Sequence, residues 1–455
     1  MKKQHVLIIV LASISILFIT SCKKFLEVTP KHAIPDETAI TDKKSAEQAL
    51  RGVYRAAGQY KQSYTILNVL AGGDATWNNV GDPHLIIAHD YRADNANLEN
   101  VWNSIYRAIN QANLVIEKVP AIEDQQLTPQ ERDRLLGEAL FFRAMGYFDL
   151  VRVWGGVPLK LTPTDNLNKP LDLARSSREQ TYARVKDDLA QARELLPETN
   201  AANRIRVSRE AVQALLSRVY LYENNWQQAE QSANALISNP HFALAAPFSS
   251  WFKTDGGTKE SILEIAYSAQ NPNGLRNDMQ HQTKGGSYSL APKPATAQLL
   301  NDPDHSGGAE GRSALVGSLT QAGTTVWYGN LYFRSPATDP LYVLRIAEQY
   351  LIRAEARIYN NDLENALADI NAVRARAGLA PYASGNYDIE SPEALLLAIG
   401  NERRFEFLWE GDRWPDLVRT GRAITLFNLE PYKLLFPIPL KEVVIGKLEQ
   451  NPQYN

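Results

Sequence analysis

The chain of 455 residues contains a single cysteine, Cys22. No disulfide can form within one chain, and neither a thiolate metal site nor a second thiol for redox chemistry is available. Histidine is scarce as well: His5, His32, His84, His89, His241, His281 and His305 include no pair three or four residues apart that would present two ring nitrogens on one helix face. Asp302-x-Asp304-x-Ser306 imitates the first half of a calcium loop. Its twelfth position is Ser313 rather than a bidentate glutamate, so a solvated turn is expected and no metal is assigned. There is no GxSxG elbow and no GxxxxGK[ST] phosphate loop, which leaves nucleophilic and phosphoryl-transfer chemistry without a local pattern. An excess of positive charge is also lacking. The formal net charge is −3, which gives no pull toward nucleic acid. No cofactor is implied.

What is present begins at the N-terminus. Lys2 and Lys3 precede an apolar run over residues 6–19, then Ile19-Thr20-Ser21-Cys22. The run is shorter than the roughly 20 residues of a spanning helix, so residues 1–21 read as a signal peptide. The last four residues resemble a relaxed bacterial lipobox. Cys22 is then the lipidation site, and two or three acyl chains there would anchor the protein stably.

Beyond the tether at residues 29–36, apolar residues recur at helical spacing over 43–60, 98–119, 129–154 and 176–196. Two pairs of helices then repeat one plan: 207–222 with 226–237, and 341–359 with 363–377. Each first helix ends in Tyr, an Asn-rich turn follows, and Ala229 or Ala366 sits where close packing needs a small side chain. This is the logic of tetratricopeptide hairpins. Residues 240–340 break the pattern with Gly, Pro, Ser and Asn and one strand-like run at 261–267. A loop-rich insertion of this length in a helical chain is more often functional than inert.

The densest pattern lies near the C-terminus, where a helix is expected over 392–410. Glu402, Glu406 and Glu410 fall on one ridge beside a stripe of Phe405, Leu408 and Trp409. The carboxylates could serve acid–base chemistry, but the neighbouring arginines favour mutual pairing where the helix docks. Glu402-Arg403-Arg404-x-Glu406-x4-Gly411-x-Arg413-Trp414-x-Asp416-Leu417-x-Arg419 is very similar to the C-terminal signature of the SusD/RagB family. Other stretches resemble the family too: Phe25-Leu26 after Cys22, Trp102, Tyr106 and Asn113, Arg143 and Tyr147, Arg345 with Glu348 and Glu355, and Phe436-Pro437-Ile438-Pro439. The resemblance implies a mainly α fold, a tetratricopeptide-like scaffold (about 40–239 and 341–455) with an irregular ligand-binding insertion (240–340), all in one domain from residue 22. It also implies a lipoprotein of the outer membrane, not an enzyme and exposed at the cell surface, that captures oligosaccharides or polysaccharide fragments for a SusC-like TonB-dependent transporter.

Sugar sites pair aromatic faces with amide and carboxylate groups. Trp77-Asn78-Asn79, in a Gly-rich loop, has that chemistry in three successive residues, and Trp251, Tyr288, Trp327 and Tyr328 offer it within the insertion. The resemblance implies ligand loops in the same two regions without a residue-by-residue match. Two other classes stay open: a tetratricopeptide-type adaptor without sugar binding, for which Trp77, Trp251 and Trp327 should be buried, and a helical glycoside hydrolase, whose carboxylate pair leaves no local pattern.

Overall fold

Asp42 starts the first helix by accepting a hydrogen bond from the Ser45 amide at 2.7 Å, and Ser45 Oγ returns one from the Asp42 amide. In this computed structural model, which describes residues 40–164, 173–198, 203–255, 257–383 and 391–454, that helix is α1 (Lys43–Ala71). The signal peptide, Cys22 and the tether lie outside the described residues. The helix outruns its expected end at Tyr60 because Tyr64, Leu67 and Leu70 continue the buried face and nothing breaks it before Gly72-Gly73. A short strand, β1 (Ala75–Trp77), follows.

The helices α2 (Ala96–Lys118) and α3 (Pro129–Trp154) pack on α1, α3 opening on a capping box of Thr128 and Glu131. Their family-like residues are packing groups, buried at Trp102, Asn113, Arg143 and Tyr147 and half-buried at Tyr106. Arg143 forms a bidentate pair with Asp188 at 2.7 and 2.8 Å and also reaches Asn113 Oδ1, while Tyr147 donates to the Lys160 carbonyl. Next come α4 (Arg178–Leu195), α5 (Arg209–Tyr222) and α6 (Trp226–Ile237).

The insertion folds around short strands: β2 (Ser261–Ile265), β3 (Leu290–Pro292), β4 (Val316–Gln321) and β5 (Thr324–Gly329). The expected helix over 341–359 is in fact two elements, β6 (Leu341–Arg345) and α7 (Ile346–Tyr359). Leu341-Tyr342-Val343-Leu344 is a continuous apolar run buried on both faces, so its period does not separate strand from helix. Its antiparallel partner β2 lies about eighty residues away, out of reach of local pattern. The scaffold closes with α8 (Leu363–Arg376), α9 (Pro392–Glu406) and α10 (Arg413–Arg419).

The fold is mainly α and tetratricopeptide-like. Hairpins α5–α6 and α7–α8 stack, with α7 packed against both α6 and α8, and Ala229 and Ala366 are fully buried at the crossings.

The helix α9 ends four residues before its expected terminus. Arg345 explains the early stop: its Nη2 donates to the Glu406 carbonyl at 2.9 Å and to Glu410 at 2.6 Å, and Glu410 turns back toward it. Around this point lies a buried charge network. Glu402 sits between Arg312 and Arg374, and Glu406 among Arg312, Arg345 and Arg376. Arg403 is answered by Asp412 and Asp416, and Asp416 in turn by Arg419 and Arg422. Burial opposes ionisation of Glu406 and Asp416, but the surrounding arginines outweigh it and hold both carboxyls at about 2. At Glu410 burial wins over Arg345 and pushes the carboxyl up to about 7. Phe405, Leu408 and Trp409 are buried, and the Trp409 indole donates to the Leu315 carbonyl at 2.8 Å. These signature residues form a structural clamp.

Candidate ligand-binding site

The clamp reaches the surface through one carboxylate. Asp74, buried just after Gly72-Gly73, accepts from Arg404 Nε at 2.9 Å, and Arg413 Nε approaches to 3.7 Å. Thr296 Oγ1 donates to the same group, and the Lys293 amide to the Asp74 carbonyl. With Asp74 fixed, β1 pairs antiparallel with β3, setting Ala75 opposite Pro292 and Trp77 opposite Leu290.

The pairing continues past the strand ends. The Asn78 amide donates to the Ser289 carbonyl at 2.8 Å, Asn78 Nδ2 to the Tyr288 carbonyl at 2.9 Å, and Asn79 Nδ2 to Ser289 Oγ at 2.8 Å. Both side-chain amides thus commit their Nδ2 donor to the backbone strand or its serine. What they keep for a ligand is the Oδ1 acceptor and the second Nδ2 hydrogen. His84 Nε2 lies 2.8 Å from the Asn79 carbonyl and steadies the loop from the other side.

Tyr288 has a left-handed backbone, φ 56°, which turns its ring away from the direction an extended residue would take. Its hydroxyl donates to the Trp327 carbonyl at 2.9 Å, and its ring lies 5.0 Å from that of His281. Burial raises the Tyr288 phenol, so the proton needed for that donation stays in place. Trp327 stands on β5, opposite Ser318 of β4. Trp77, Tyr288 and Trp327 are all half-buried: each is anchored in the body and leaves part of its ring outside. Asn78 and Asn79 are exposed beside them. Five expected residues, two of them about 210 apart in sequence from their partners, therefore share one ridge built from β1, β3 and β5.

Two expected platforms are not surfaces. Trp251 is 1 % exposed, enclosed by Phe248, Phe252 and Tyr342 with the Arg345 guanidinium 4.0 Å from its ring centre, so no indole face is left for a sugar. Tyr328 is 6 % exposed because it lies flat across Gly317 on the facing strand, where a Cβ would come within 2.3 Å of its ring. Both belong to the core. The adaptor reading required Trp77, Trp251 and Trp327 all to be buried, and only Trp251 is.

The sequence reading missed the polar floor of the ridge. Ser287 Oγ and Ser289 Oγ are 2.7 Å apart, and Ser289 also receives Asn79. Asp278 borders this pair, and burial lifts its carboxyl to about 6 against hydrogen bonds from Asn277 and Ser287. The alternation Ser287-Tyr288-Ser289 after Gly285-Gly286 was the only local signal for it. Asp302, at the imitation calcium loop, instead caps the short helix Pro303–Ser306 by accepting from the Asp304 amide and from His305.

Comparison with known proteins supplies the family. Residues 24–221 match a family model described as "Starch-binding associating with outer membrane", and residues 328–434 match one described as "SusD family". The chain is similar to SusD-like protein P38 of Formosa agariphila, at 27 % identity over 100 % of both chains. Among solved structures it is similar to a SusD superfamily protein of Bacteroides vulgatus, with a TM-score of 0.78 and 22 % identity over 90 % of this chain and 98 % of that one. It is also similar to a laminarin binding SusD-like protein, with a TM-score of 0.75 and 22 % identity over 91 % of this chain and 100 % of the other. With two matching family models, a relative aligned along its whole length and the shared helical-hairpin fold, the chain belongs to the SusD/RagB family.

Proposed function

We propose that this protein is a binding lipoprotein of the outer membrane that captures oligosaccharides at the cell surface and passes them to a SusC-like TonB-dependent transporter. The observation that carries the reading is the ridge: three half-buried aromatics, Trp77, Tyr288 and Trp327, beside the exposed amides of Asn78 and Asn79. Aromatic faces pack on the C–H faces of pyranose rings, and amide oxygens accept from sugar hydroxyls. Anchoring each ring in the body fixes it before ligand arrives, which lowers the ordering cost of binding. A similar structure that bears the name laminarin binding is in keeping with this chemistry. Cys22 carries the lipid anchor, residues 1–21 are removed, and residues 22–455 act as one domain. Binding makes and breaks no bond.

A glycan-array screen of soluble protein beginning after Cys22, with titration calorimetry of each hit against Trp77→Ala, tests the reading. Binding lost in the variant is the expected result. Binding that survives there and in Trp327→Ala would remove the ridge from the proposal, and an array with no hit would remove the saccharide. A reducing-end assay on the same glycans should stay flat; release of ends would favour the hydrolase.

A further inference from the structure

A cavity of about 580 Å³ lies away from the ridge, where the helical hairpins end side by side. Its lining shares no residue with the ridge. One wall is Trp226, the first residue of α6, and Tyr359, the last of α7, stacked face to face with centroids 3.9 Å apart and planes 6° from parallel. Tyr359 is 50 % exposed and Leu397, across the cavity on α9, is 56 % exposed. So large an aromatic slab at the mouth of a cavity offers a face that the described residues leave half uncovered at Tyr359.

The floor is polar. Arg419 gives Nη1 and Nη2 to Glu355 at 2.7 Å each and Nη2 also to Asp416, while its Nε is buried with no acceptor. Arg422 lies flat over Gly400, where a Cβ would come within 1.8 Å of Nη1, and it holds Asp416 at 2.9 Å and Thr420 Oγ1 at 3.1 Å. Asn224 and the exposed Glu393 also line it, with Leu396 and Ile399 on the apolar side.

Three carboxylates, Glu355, Glu393 and Asp416, face two guanidiniums, Arg419 and Arg422, and this excess of negative charge disfavours an acidic ligand. The cavity falls in the size range of small-molecule sites and combines an aromatic slab with hydroxyl-binding groups at its edge. We propose that it is a second saccharide site, taking a short neutral oligosaccharide whose ring packs on the Trp226–Tyr359 stack. Glu393 accepts from a ligand hydroxyl at the rim. The argument uses none of the ridge residues, so the two sites stand or fall separately.

The test is fluorine NMR of the whole mature chain carrying 5-fluorotryptophan, with the Trp226 resonance assigned through Trp226→Phe. The probes are neutral β-1,3-, β-1,4- and α-1,4-linked gluco-oligosaccharides at millimolar concentration. A saturable shift of the Trp226 resonance is expected, retained in Trp77→Ala and lost in Tyr359→Ala. Because Tyr359 is half exposed, that variant should keep its native fluorine spectrum elsewhere, which serves as the folding control. Gly400→Ala, which displaces Arg422, should weaken the response about tenfold. The proposal is overturned by a Trp226 resonance that stays fixed with all three glucan series, by one that moves only when Trp77 is intact, or by one that responds equally to Tyr359→Ala protein.

Discussion

The clamp and the ridge are built on opposite principles. In the clamp, Arg345, Arg312 and Arg403 are each 2 % exposed or less, and each is answered by more than one carboxylate. Every member depends on the others, and a single substitution leaves a charge buried without its counter-ion. In the ridge, Trp77 and Trp327 stand on strands paired through main-chain hydrogen bonds, which do not depend on which side chain is present, and Tyr288 adds a bond from its own hydroxyl. A framework held by side-chain charge tolerates little change, whereas contact residues hung on backbone pairing can be exchanged without disturbing their support. That difference accounts for a legible signature beside an illegible ligand.

Breaking the clamp should have the largest effect. Arg345→Met leaves Glu260, Glu406 and Glu410 facing one another and should cost about 3–5 kcal/mol in urea unfolding. A loss near zero would mean that the network contributes no more than exposed pairs do. Asp74→Asn, at the joint between the two regions, should cost about 1–3 kcal/mol and also weaken glycan binding, because Arg404 and Arg413 lose their carboxylate and the turn into β1 loses its anchor. Unchanged affinity in that variant would uncouple clamp from ridge. For Trp77→Ala the expectation is reversed: affinity falls at least about tenfold while stability changes by about 1 kcal/mol or less.

Acid separates Glu406 and Asp416 of the clamp from Asp278 of the ridge by sign, while Glu410 of the clamp, raised to about 7, shares the sign of Asp278. Glu406 and Asp416 are depressed to about 2 from ordinary values of 4.5 and 3.8, so their contribution is present above about pH 4.5 and is lost as pH falls toward 2. Asp278 is raised to about 6 from 3.8, so its contribution is present below pH 3.8 and is lost as pH rises through 6. Asp278→Asn should therefore stabilise the protein slightly at pH 7, by under about 1 kcal/mol after solvent screening, and leave the acid limb of a stability–pH curve unchanged. A shifted acid limb would assign that limb to the ridge instead.

Much of the scaffold is legible in the sequence because its signals are local. Caps at Asp42, Thr128 and Ser177 mark helix starts, and the helix from Trp226 to Ile237 is bounded by its own turn residues. The errors fall where a distant partner decides. Leu341–Arg345 is a strand only because Ser261–Ile265 lies beside it, and α9 stops at Glu406 because Arg345 takes its carbonyl. The same limit divides the aromatics. Trp251 and Trp327 look alike as Trp residues in a loop-rich stretch, yet one is sealed by Phe248 and Phe252 while the other is carried outward on a hairpin. Phe248 and Phe252 are near Trp251 in sequence, but Tyr342 and Arg345, which complete its enclosure, come from about ninety residues away.

The bond between Asp74 and Arg404 joins residues 330 positions apart. Synthesis presents Trp77 early, but the Asp74 carboxylate beside its loop must wait for a guanidinium made 330 residues later. Until then the loop rests on its pairing with β3 and on the Thr296 hydroxyl. A molecule truncated before Arg404 would keep the aromatic residues and their strand pairing and lack the ion pair that fixes Asp74.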